Sequence, residues 1–415
     1  MTRLELFYDL VFAFAFLNVG TLTSEHLSAR GLLEAMLVLA LLWWCWSGFA
    51  ALGNILRADQ GIMPLLGFAV MASVFVLVLA TETAFQTDAG GLDGPFVFAC
   101  AYLVTWAILV GALWTTVGPS WPARRRSLAL NALTAGGTAI IIVGAVVPPR
   151  LFSAGTAHTV RLACWVVALL LQYAAGALVG RTGWRLRSVG HWAERHALIV
   201  LVALGESVIA LGVGATNRSG GPITASLITA AILGIAAIAA LWWLYFDVLA
   251  VHVEQVLHGV RGPARIPLAR DVYTYLHLPL VVGIILFALG LERLLTAVIA
   301  RPTTATQLAI GGLDLFILYG GTIVYVLTLV AIEARAARRL DPALIAAAGV
   351  LAVLIPVADR VPALTALALL TTAVLTLVGL QLVVKRRSRR QVRKLLSDEQ
   401  AALETAVSQW RRRHL

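Results

Sequence analysis

Two carboxylates lie inside the first apolar segment of the chain. Glu5 and Asp9 stand four residues apart within residues 4–16, where most of the other side chains are apolar. At 3.6 residues per turn, this spacing places both acids on one face of a helix. A charge near the middle of a bilayer costs roughly 2.5–3.5 kcal/mol on insertion scales, so such groups usually face protein or water. The segment therefore predicts a membrane helix that keeps acids inside the membrane for a purpose.

Further ionisable residues lie within or beside predicted membrane helices. Glu206, Asp247 and His277 fall inside predicted spans, and His196 stands at the start of the span that contains Glu206. Acids that converge in a medium of low dielectric can share protons, and a histidine titrates near physiological pH. The set favours proton-coupled movement or passage of a cation. The alternative is structural, with Asp9 and Glu206 each paired to arginine or tryptophan so that helices are locked together.

Aromatic residues accompany these ionisable groups. Trp43 and Trp242 each begin an aromatic pair at three-residue spacing, so the two members of a pair share a helix face. Their N–H groups are candidates to bond the acids of the first helix, or the rings are candidates to form an apolar constriction. Core packing and the aromatic belts of membrane proteins are the alternatives. Tyr275 belongs to residues 273–279, a polar stretch that ends at a proline.

The elements that position these residues are predicted to be membrane helices. The 415-residue chain is 60% hydrophobic and 13% charged, with a mean hydropathy of +0.89. Apolar runs of about 20 residues recur between short polar loops. This pattern predicts an all-α polytopic membrane protein with about twelve transmembrane helices. The predicted spans are residues 4–22, 34–53, 64–85, 96–116, 126–147, 160–180, 196–215, 225–250, 273–296, 307–332, 343–357 and 363–384.

The two halves of the chain are similar to each other. Residues 9–15 align with residues 206–212, acid on acid, and the tryptophan-rich stretches at Trp43 and Trp242 follow at nearly the same offset. Two repeats of six spans each would be parallel, related by an axis along the membrane normal. The predicted organisation is a first repeat over residues 1–190, a second over 191–384, and a basic C-terminal tail over 385–415 that forms an amphipathic helix.

The charge distribution predicts orientation in the membrane. The formal net charge is +11, and 10 of the 32 Lys and Arg residues follow Val384. Most others lie in alternate loops, which predicts that both termini are in the cytoplasm. The basic tail is predicted to contact anionic lipid headgroups. Since no soluble basic module is long enough, nucleic acid is not expected as a partner. Association of the chain into a homo-oligomer is left as an open alternative to a monomer.

No cofactor or metal is predicted. Cys45, Cys100 and Cys164 fall inside predicted helices without metal-site spacing, and they are interpreted as small packing residues. The chain has no phosphate-binding glycine loop, no nucleophile elbow and no His-Glu-x-x-His motif. Catalytic residues are therefore not assigned.

Four motifs in order resemble the bacterial low-temperature-requirement A membrane proteins. They are Glu5-Leu-Phe-Tyr-Asp-Leu-Val-Phe-Ala-Phe14, Glu194-Arg-His-Ala-Leu198 with Leu204-Gly-Glu-Ser-Val208, Trp242-Trp-Leu-Tyr-Phe-Asp247, and Arg270-Asp-Val-Tyr-Thr-Tyr-Leu-His-Leu-Pro279. The resemblance covers nearly the whole chain up to Val384. It implies a multi-pass protein of the bacterial inner membrane. It implies a fold more than a function, because the family name records a growth phenotype.

A second resemblance concerns the first helix alone. Residues 7–15 are similar to the Phe-Ser-Asp first-helix motif of the endolysosomal potassium and proton channel family. Those channels also have two six-helix repeats, and the first helix of each lines the pore. The resemblance implies that the first and seventh helices of this chain line a central pathway.

Three function hypotheses remain. The leading one is a channel or secondary transporter for a cation or a proton-coupled solute, with Asp9 and Glu206 as the central polar site. In it, Glu5, Asp247 and His277 lie on the cytoplasmic approach. The second is an intramembrane enzyme acting on a lipid or isoprenoid, with the same acids as proton donors. The third is a structural or sensory protein in which the acids only pair helices.

Overall fold

Every element that the structure describes is a helix. The computed structural model describes residues 2–25, 27–56, 60–85, 91–115, 121–179, 186–216, 223–300 and 312–414. The α-helices within these residues are α1 (Arg3–Glu25), α2 (Ala29–Ile55), α3 (Met63–Leu79), α4 (Gly94–Trp114), α5 (Trp121–Val146), α6 (Pro148–Leu151), α7 (Ala154–Val179), α8 (Val189–Thr216), α9 (Ala225–Phe246), α10 (Leu249–Gly259), α11 (Arg265–Ala269), α12 (His277–Ala300), α13 (Leu313–Ala337), α14 (Pro342–Ala358), α15 (Ala363–Val384) and α16 (Arg386–His414).

The helix lengths and composition are those of a polytopic membrane protein. Ten helices in the described ranges are long and apolar enough to cross a membrane. At the third and eleventh predicted spans lie α3 and α14, apolar helices of 17 residues each. The predicted class, an all-α polytopic membrane protein, is confirmed. Residues 307–311, the start of the tenth predicted span, lie outside the described residues.

Side-chain caps fix where several helices begin. Ser28, Asp93 and Thr224 each accept a hydrogen bond from the backbone N–H three residues later, at the start of α2, α4 and α9. Asp341 caps α14 by accepting from the N–H of Ala343. These oxygens satisfy N–H groups that have no partner within the first helical turn.

Three of the differences from the predicted spans concern helices that carry candidate site residues. Helix α8 begins seven residues before residue 196, because the polar segment 189–195 is folded against the neighbouring helices and hydropathy does not detect it. The predicted span 225–250 is divided, since α9 ends at Phe246 and α10 begins at Leu249. Residues Arg270–Tyr275 form a π-helical turn immediately before α12.

Helices α1 and α8 join the two halves of the chain. In the first half, α3 packs on α4 and α5 packs on α7. In the second half, α12 packs on α13 and α9 packs on α15. Between the halves, α1 contacts α8 and α12, and α2 also contacts α8 and α12. The acids predicted on α1 therefore lie where the halves meet.

Glycines bring α12 and α13 into backbone contact. A Cβ added to Gly321 would lie 2.5 Å from the backbone nitrogen of Phe287 and 2.8 Å from the carbonyl oxygen of Gly283. A Cβ on Gly283 would lie 2.7 Å from the backbone nitrogen of Tyr325. Small residues at such crossings allow close helix packing within a membrane, where no hydrophobic force drives association.

Ionic contacts join the end of α15 to α13 and α14. The Lys385 ammonium lies 2.9 Å from Oδ2 of Asp341 and 3.2 Å from Oε2 of Glu333. Gln381 donates to Asp341 Oδ2 at 2.7 Å. Burial favours a higher pKa for Asp341, but the hydrogen bonds from Gln381 and Lys385 outweigh it and hold the pKa below its ordinary value.

The first turn of the tail helix α16 contacts the end of α9. Arg389 donates from Nη2 to Oδ1 of Asp247 at 2.9 Å, and its guanidinium lies 5.7 Å from the centre of the Trp243 ring. Near the end of α16, the side chains of Val407 and Trp410 are exposed. The tail helix is thus attached to the bundle at its beginning.

Candidate functional site

Two acid–base contacts join α1 to α8 in the same register. Glu5 Oε1 lies 2.9 Å from His191 Nε2, and Asp9 Oδ1 lies 2.9 Å from Arg195 Nη2. Both contacts join residues 186 positions apart. The two contacts lie one helical turn apart and have the same sequence separation. This is possible only if α1 and α8 run in the same direction. The i, i+4 spacing of the acids on α1 is therefore matched by an i, i+4 spacing of bases on α8.

Glu5 is held at the beginning of α1. Its Oε2 accepts from the backbone N–H of Thr2 at 2.8 Å and from the Thr2 hydroxyl at 3.0 Å. The carboxylate packs so closely against α2 that a Cβ on Gly53 would collide with Oε1. Only 1% of the Glu5 surface is exposed, so this acid is enclosed by protein.

Asp9 is the centre of the site. One of its oxygens, Oδ1, accepts from Trp46 Nε1 and from Arg195 Nη2, each at 2.9 Å. The other oxygen, Oδ2, is buried and has no hydrogen-bond partner among the described residues. A buried carboxylate with a free oxygen beside a guanidinium is equipped to take up a proton or to bind a donor group.

Arg195 is fully buried beside this carboxylate. Its guanidinium lies 5.6 Å from the centre of the Trp46 ring and 5.7 Å from that of Phe49, distances at which a cation is attracted to an aromatic face. Its Nε and Nη1 have no partner in the described part of the chain. The hydroxyl of Tyr8, the residue before Asp9, is likewise buried without a described partner.

Two histidines continue the site toward α12. His196 Nδ1 donates to the carbonyl of Trp192 at 2.8 Å, because a carbonyl can only accept. His277 Nδ1 donates in the same way to Val272 O at 2.9 Å, so its Nε2 accepts from the Tyr245 hydroxyl at 2.8 Å. The two rings lie 5.3 Å apart, and within the described ranges His196 Nε2 has no partner.

The π-helical turn supplies two of the carbonyls that hold the site. Val272 O accepts from His277, and Thr274 O accepts from Trp43 Nε1 at 2.8 Å. A π-helical turn leaves carbonyl groups outside the regular hydrogen-bond ladder, so they are available to side chains. Trp43 stacks on Trp46 at 4.8 Å, which links the turn to the Asp9 contacts.

The remaining predicted residues lie elsewhere. Glu206 is eleven residues beyond Arg195 on α8, about 16 Å along the helix axis. It is 5% exposed, and no hydrogen bond or ion pair joins its carboxylate to a described residue. Trp242 is 40% exposed and stacks on Phe246, and Asp247 is bonded to the tail. Tyr275 donates to the carbonyl of Tyr173 at 2.7 Å, between the halves.

The structure thus brings together five of the predicted residues and adds others. Glu5, Asp9, Trp43, His196 and His277 form one connected cluster. Trp46, the second member of the aromatic pair that begins at Trp43, donates to Asp9 as the sequence allowed. The residues that sequence reasoning did not assign to the site are His191, Arg195, Tyr8, Tyr245 and Tyr273. The i, i+4 spacing of His191 and Arg195, identical to that of the two acids on α1, is the signal that could have indicated their pairing. Among the described residues, no group of three or more His, Cys, Asp or Glu side chains is placed to hold a metal ion.

Comparison with known proteins identifies relatives along most of the chain. A family model described as bacterial low temperature requirement A protein (LtrA) matches residues 1–380. An uncharacterized protein of Rhizobium meliloti (strain 1021) is 27% identical over 300 residues, which are 69% of this chain and 67% of that protein. No solved structure matches the chain. The region matched by the family model includes α1, α8 and α12, and therefore the whole cluster around Asp9.

Proposed function

The chain belongs to the bacterial low temperature requirement A (LtrA) family, and on this premise we propose that it is a secondary transporter that couples movement of a small solute to protons. The main support for this proposal is the buried Asp9 carboxylate. Its Oδ1 accepts hydrogen bonds from Arg195 and Trp46, and its Oδ2 has no described partner. The pair lies between α1 and α8, the helices that join the halves.

Protonation of Asp9 would remove the negative charge that compensates the buried Arg195 guanidinium. The ionised carboxylate and the guanidinium compensate each other in a buried site. When Asp9 is protonated, Arg195 keeps its charge but loses its counter-ion, and an uncompensated buried charge is costly by several kcal/mol. The protonated state therefore favours a different arrangement of α1 and α8, one in which solvent or solute reaches Arg195. This is the behaviour of a two-state element biased by a local change of charge.

Unsatisfied polar atoms support a path from this pair toward α12. Tyr8 Oη, Arg195 Nε and His196 Nε2 are buried without described partners, and so is the hydroxyl of Tyr273. The His196 ring lies 5.1 Å from the Tyr273 ring. Buried polar groups without protein partners are usually satisfied by water or by a ligand. The direction of the path, from α1 to α12, agrees with a pathway between the two halves.

The charge of Arg195 favours proton-coupled transport over the passage of a bare cation. A bare cation at Asp9 would stand within a few ångströms of a guanidinium that is already bonded to the same carboxylate. Repulsion in a buried site disfavours this arrangement. Proton coupling requires no second cation there. Glu206, buried farther along α8, is proposed as a second proton-binding residue on the same route.

The parallel direction of α1 and α8 supports a twelve-span organisation. Two parallel membrane helices begin on the same side of the membrane. The chain must therefore cross the membrane an even number of times between the start of α1 and the start of α8. The long helices α1, α2, α4, α5 and α7 are five, so α3 is needed as the sixth. We propose two parallel repeats over 1–190 and 191–384 in the bacterial inner membrane, with both termini cytoplasmic and with the basic tail helix on anionic lipid headgroups.

The transport proposal is tested with full-length protein in proteoliposomes. An acid pulse is applied outside, the inner pH is followed with a trapped dye, and pools of small solutes are supplied in turn. Wild-type protein and E404Q, which alters an exposed acid of the tail, are expected to show proton entry that one solute pool accelerates. D9N is expected to remain at the level of protein-free vesicles. Wild-type flux in folded D9N would contradict the proposal, as would no flux by the wild type over about pH 5 to 8.

A second candidate function rests on an apolar crevice. The crevice lies between α2, α3 and α4, and its lining includes Phe49, Gly53 and Ile108. Gly53 also contacts the Glu5 carboxylate, so a lipid or isoprenoid chain in the crevice would lie close to an acid. This favours the intramembrane enzyme. Conversion of membrane lipids by wild-type protein but not by E5Q, with no proton flux by either, would replace the transporter proposal.

A further inference from the structure

A second ionic cluster, partly buried, lies at the end of the bundle where α2, α4 and α7 begin. Glu34 of α2 is bonded to His158 of α7, with 2.6 Å between Oε1 and Nε2. Arg30 lies 3.1 Å from the same oxygen, so Glu34 has two basic partners. Arg161 follows His158 by three residues and stands on the same face of α7. This cluster is separate from the site at Asp9.

Arg161 is buried and has no bonded partner among the described residues. Only 3% of the residue is exposed, and its Nε has no hydrogen bond within these ranges. No hydrogen bond or ion pair joins the guanidinium to a described residue. Asp93 is the acid whose charge reaches Arg161, but one of its oxygens accepts from the N–H of Phe96 as the cap of α4 and the residue is exposed. The guanidinium is therefore enclosed without a bonded carboxylate.

Aromatic side chains anchor His158 and Trp165, which stand about one turn before and one turn after Arg161 on α7. Phe85 stacks on the ring of His158 at 5.7 Å and contacts Trp165 at 5.0 Å. Trp165 stands one turn beyond Arg161 and donates to the carbonyl of Ile141 at 3.0 Å. The site is thus built from anchored side chains on one face of α7, with no freedom for these rings to move aside without breaking other contacts.

Comparison with the contact between α1 and α8 shows that Arg161 has no acid as a counterpart among the described residues. On α8, His191 and Arg195 are one turn apart, and each has its own acid on α1. On α7, His158 has Glu34, whereas Arg161 has no corresponding acid within the described ranges. A buried cation without an anion is costly, so the guanidinium has the charge and the free donors for an anionic group supplied from outside the chain.

We propose that Arg161 binds an anionic group, a carboxylate or a phosphate, at this end of the bundle. The group belongs to a lipid headgroup or to a free solute, since both carry oxygens that match the guanidinium donors. The proposal concerns binding only and holds whether or not the chain transports a solute through the site at Asp9.

The test uses the full chain in nanodiscs of a galactolipid, whose headgroup carries neither phosphate nor carboxylate. Sodium phosphate and sodium acetate are titrated at constant sodium chloride, and the midpoint of thermal unfolding gives an apparent affinity, since a ligand that binds only the folded state raises it. A parallel sample in nanodiscs that contain phosphatidylglycerol tests the lipid headgroup. A shift with either soluble probe indicates a solute site, and a shift only with phosphatidylglycerol indicates a lipid site.

Variants decide whether Arg161 is responsible. R161Q is expected to weaken binding of the effective probe by about tenfold or more, a ratio that corresponds to 1.4 kcal/mol. R150Q, which removes an exposed arginine from nearby α6, is the matched control and is expected to change binding less than about twofold. Equal binding by wild type and R161Q would overturn the proposal, and so would no shift with any probe. If R161Q does not fold, R161K decides: weaker binding supports the proposal and unchanged binding overturns it.

Discussion

The contact between Asp9 and Arg195 gives the sharpest prediction on stability. Three variants form a cycle: D9N, R195Q and the double variant that carries both substitutions. Each single substitution removes one charge of a buried pair and leaves the other uncompensated. The double substitution removes both charges and leaves two uncharged amide side chains in the same place. The cycle therefore separates the interaction of the pair from the effect of each side chain.

The magnitude follows from the burial of both groups. Arg195 is fully buried and Asp9 is 2% exposed, so neither remaining charge would reach solvent. Removing one partner of a buried ion pair destabilises a protein by about 3–5 kcal/mol. D9N is expected near the lower limit, because its amide oxygen still accepts from Trp46. The double variant is expected to cost about 2 kcal/mol, which gives a coupling of about 3 kcal/mol or more between the two positions.

The assay is reversible unfolding of the full chain in mixed micelles with increasing dodecyl sulfate. The free energy of unfolding is measured for the wild type and the three variants. A double variant that is less destabilised than either single variant supports the paired geometry. If its cost equals the sum of the single costs within about 0.5 kcal/mol, the two side chains do not interact and the proposed switch loses its basis.

Three further predictions concern other parts of the bundle. Gly321→Ala is expected to destabilise the fold by about 1–3 kcal/mol in the same unfolding assay, because its Cβ would meet backbone of α12, whereas Gly320→Ala is the neutral control. Tyr245→Phe is expected to cost about 1–3 kcal/mol, since it leaves the acceptor Nε2 of His277 buried and unpaired, and a loss below about 0.3 kcal/mol would contradict that hydrogen bond. The lowered pKa of Asp341 contributes stability that is present above its ordinary value of 3.8 and is lost as the pH falls through the folded value. Asp341→Asn is expected to flatten the acid side of the stability profile, and an unchanged profile would contradict this assignment.

The acids of α1 could be predicted from sequence because their chemistry contrasts with the surrounding residues. Glu5 and Asp9 interrupt an apolar run at helical spacing, and this alone indicates buried partners. The class of fold followed from hydropathy in the same way. The correspondence of Asp9 to Glu206 comes from an alignment of the two halves and stays a prediction, whereas the residue that lies beside Asp9 is Arg195.

Arg195 was missed because hydropathy scales measure transfer into lipid. Residues 189–195 include His191, Glu194 and Arg195, so the apolar signal of α8 begins only at residue 196. In the fold this segment faces α1 instead of lipid, and pairing with acids reduces its cost of burial. The π-helical turn at 270–275 has no composition signature of its own; only Pro279, just inside α12, indicates that a regular helix starts nearby.

The glycine contact between α12 and α13 limits how the bundle can rearrange. With backbone against backbone, the two helices have no layer of side chains that could change rotamers and accommodate sliding. They therefore behave as one stiff body, which carries His277 at its beginning. Any displacement between the two halves must then be absorbed outside α12 and α13, at the contacts of α1 and α2 or at the interruption between α9 and α10. We therefore expect the mechanical compliance of the bundle to lie outside this pair of helices.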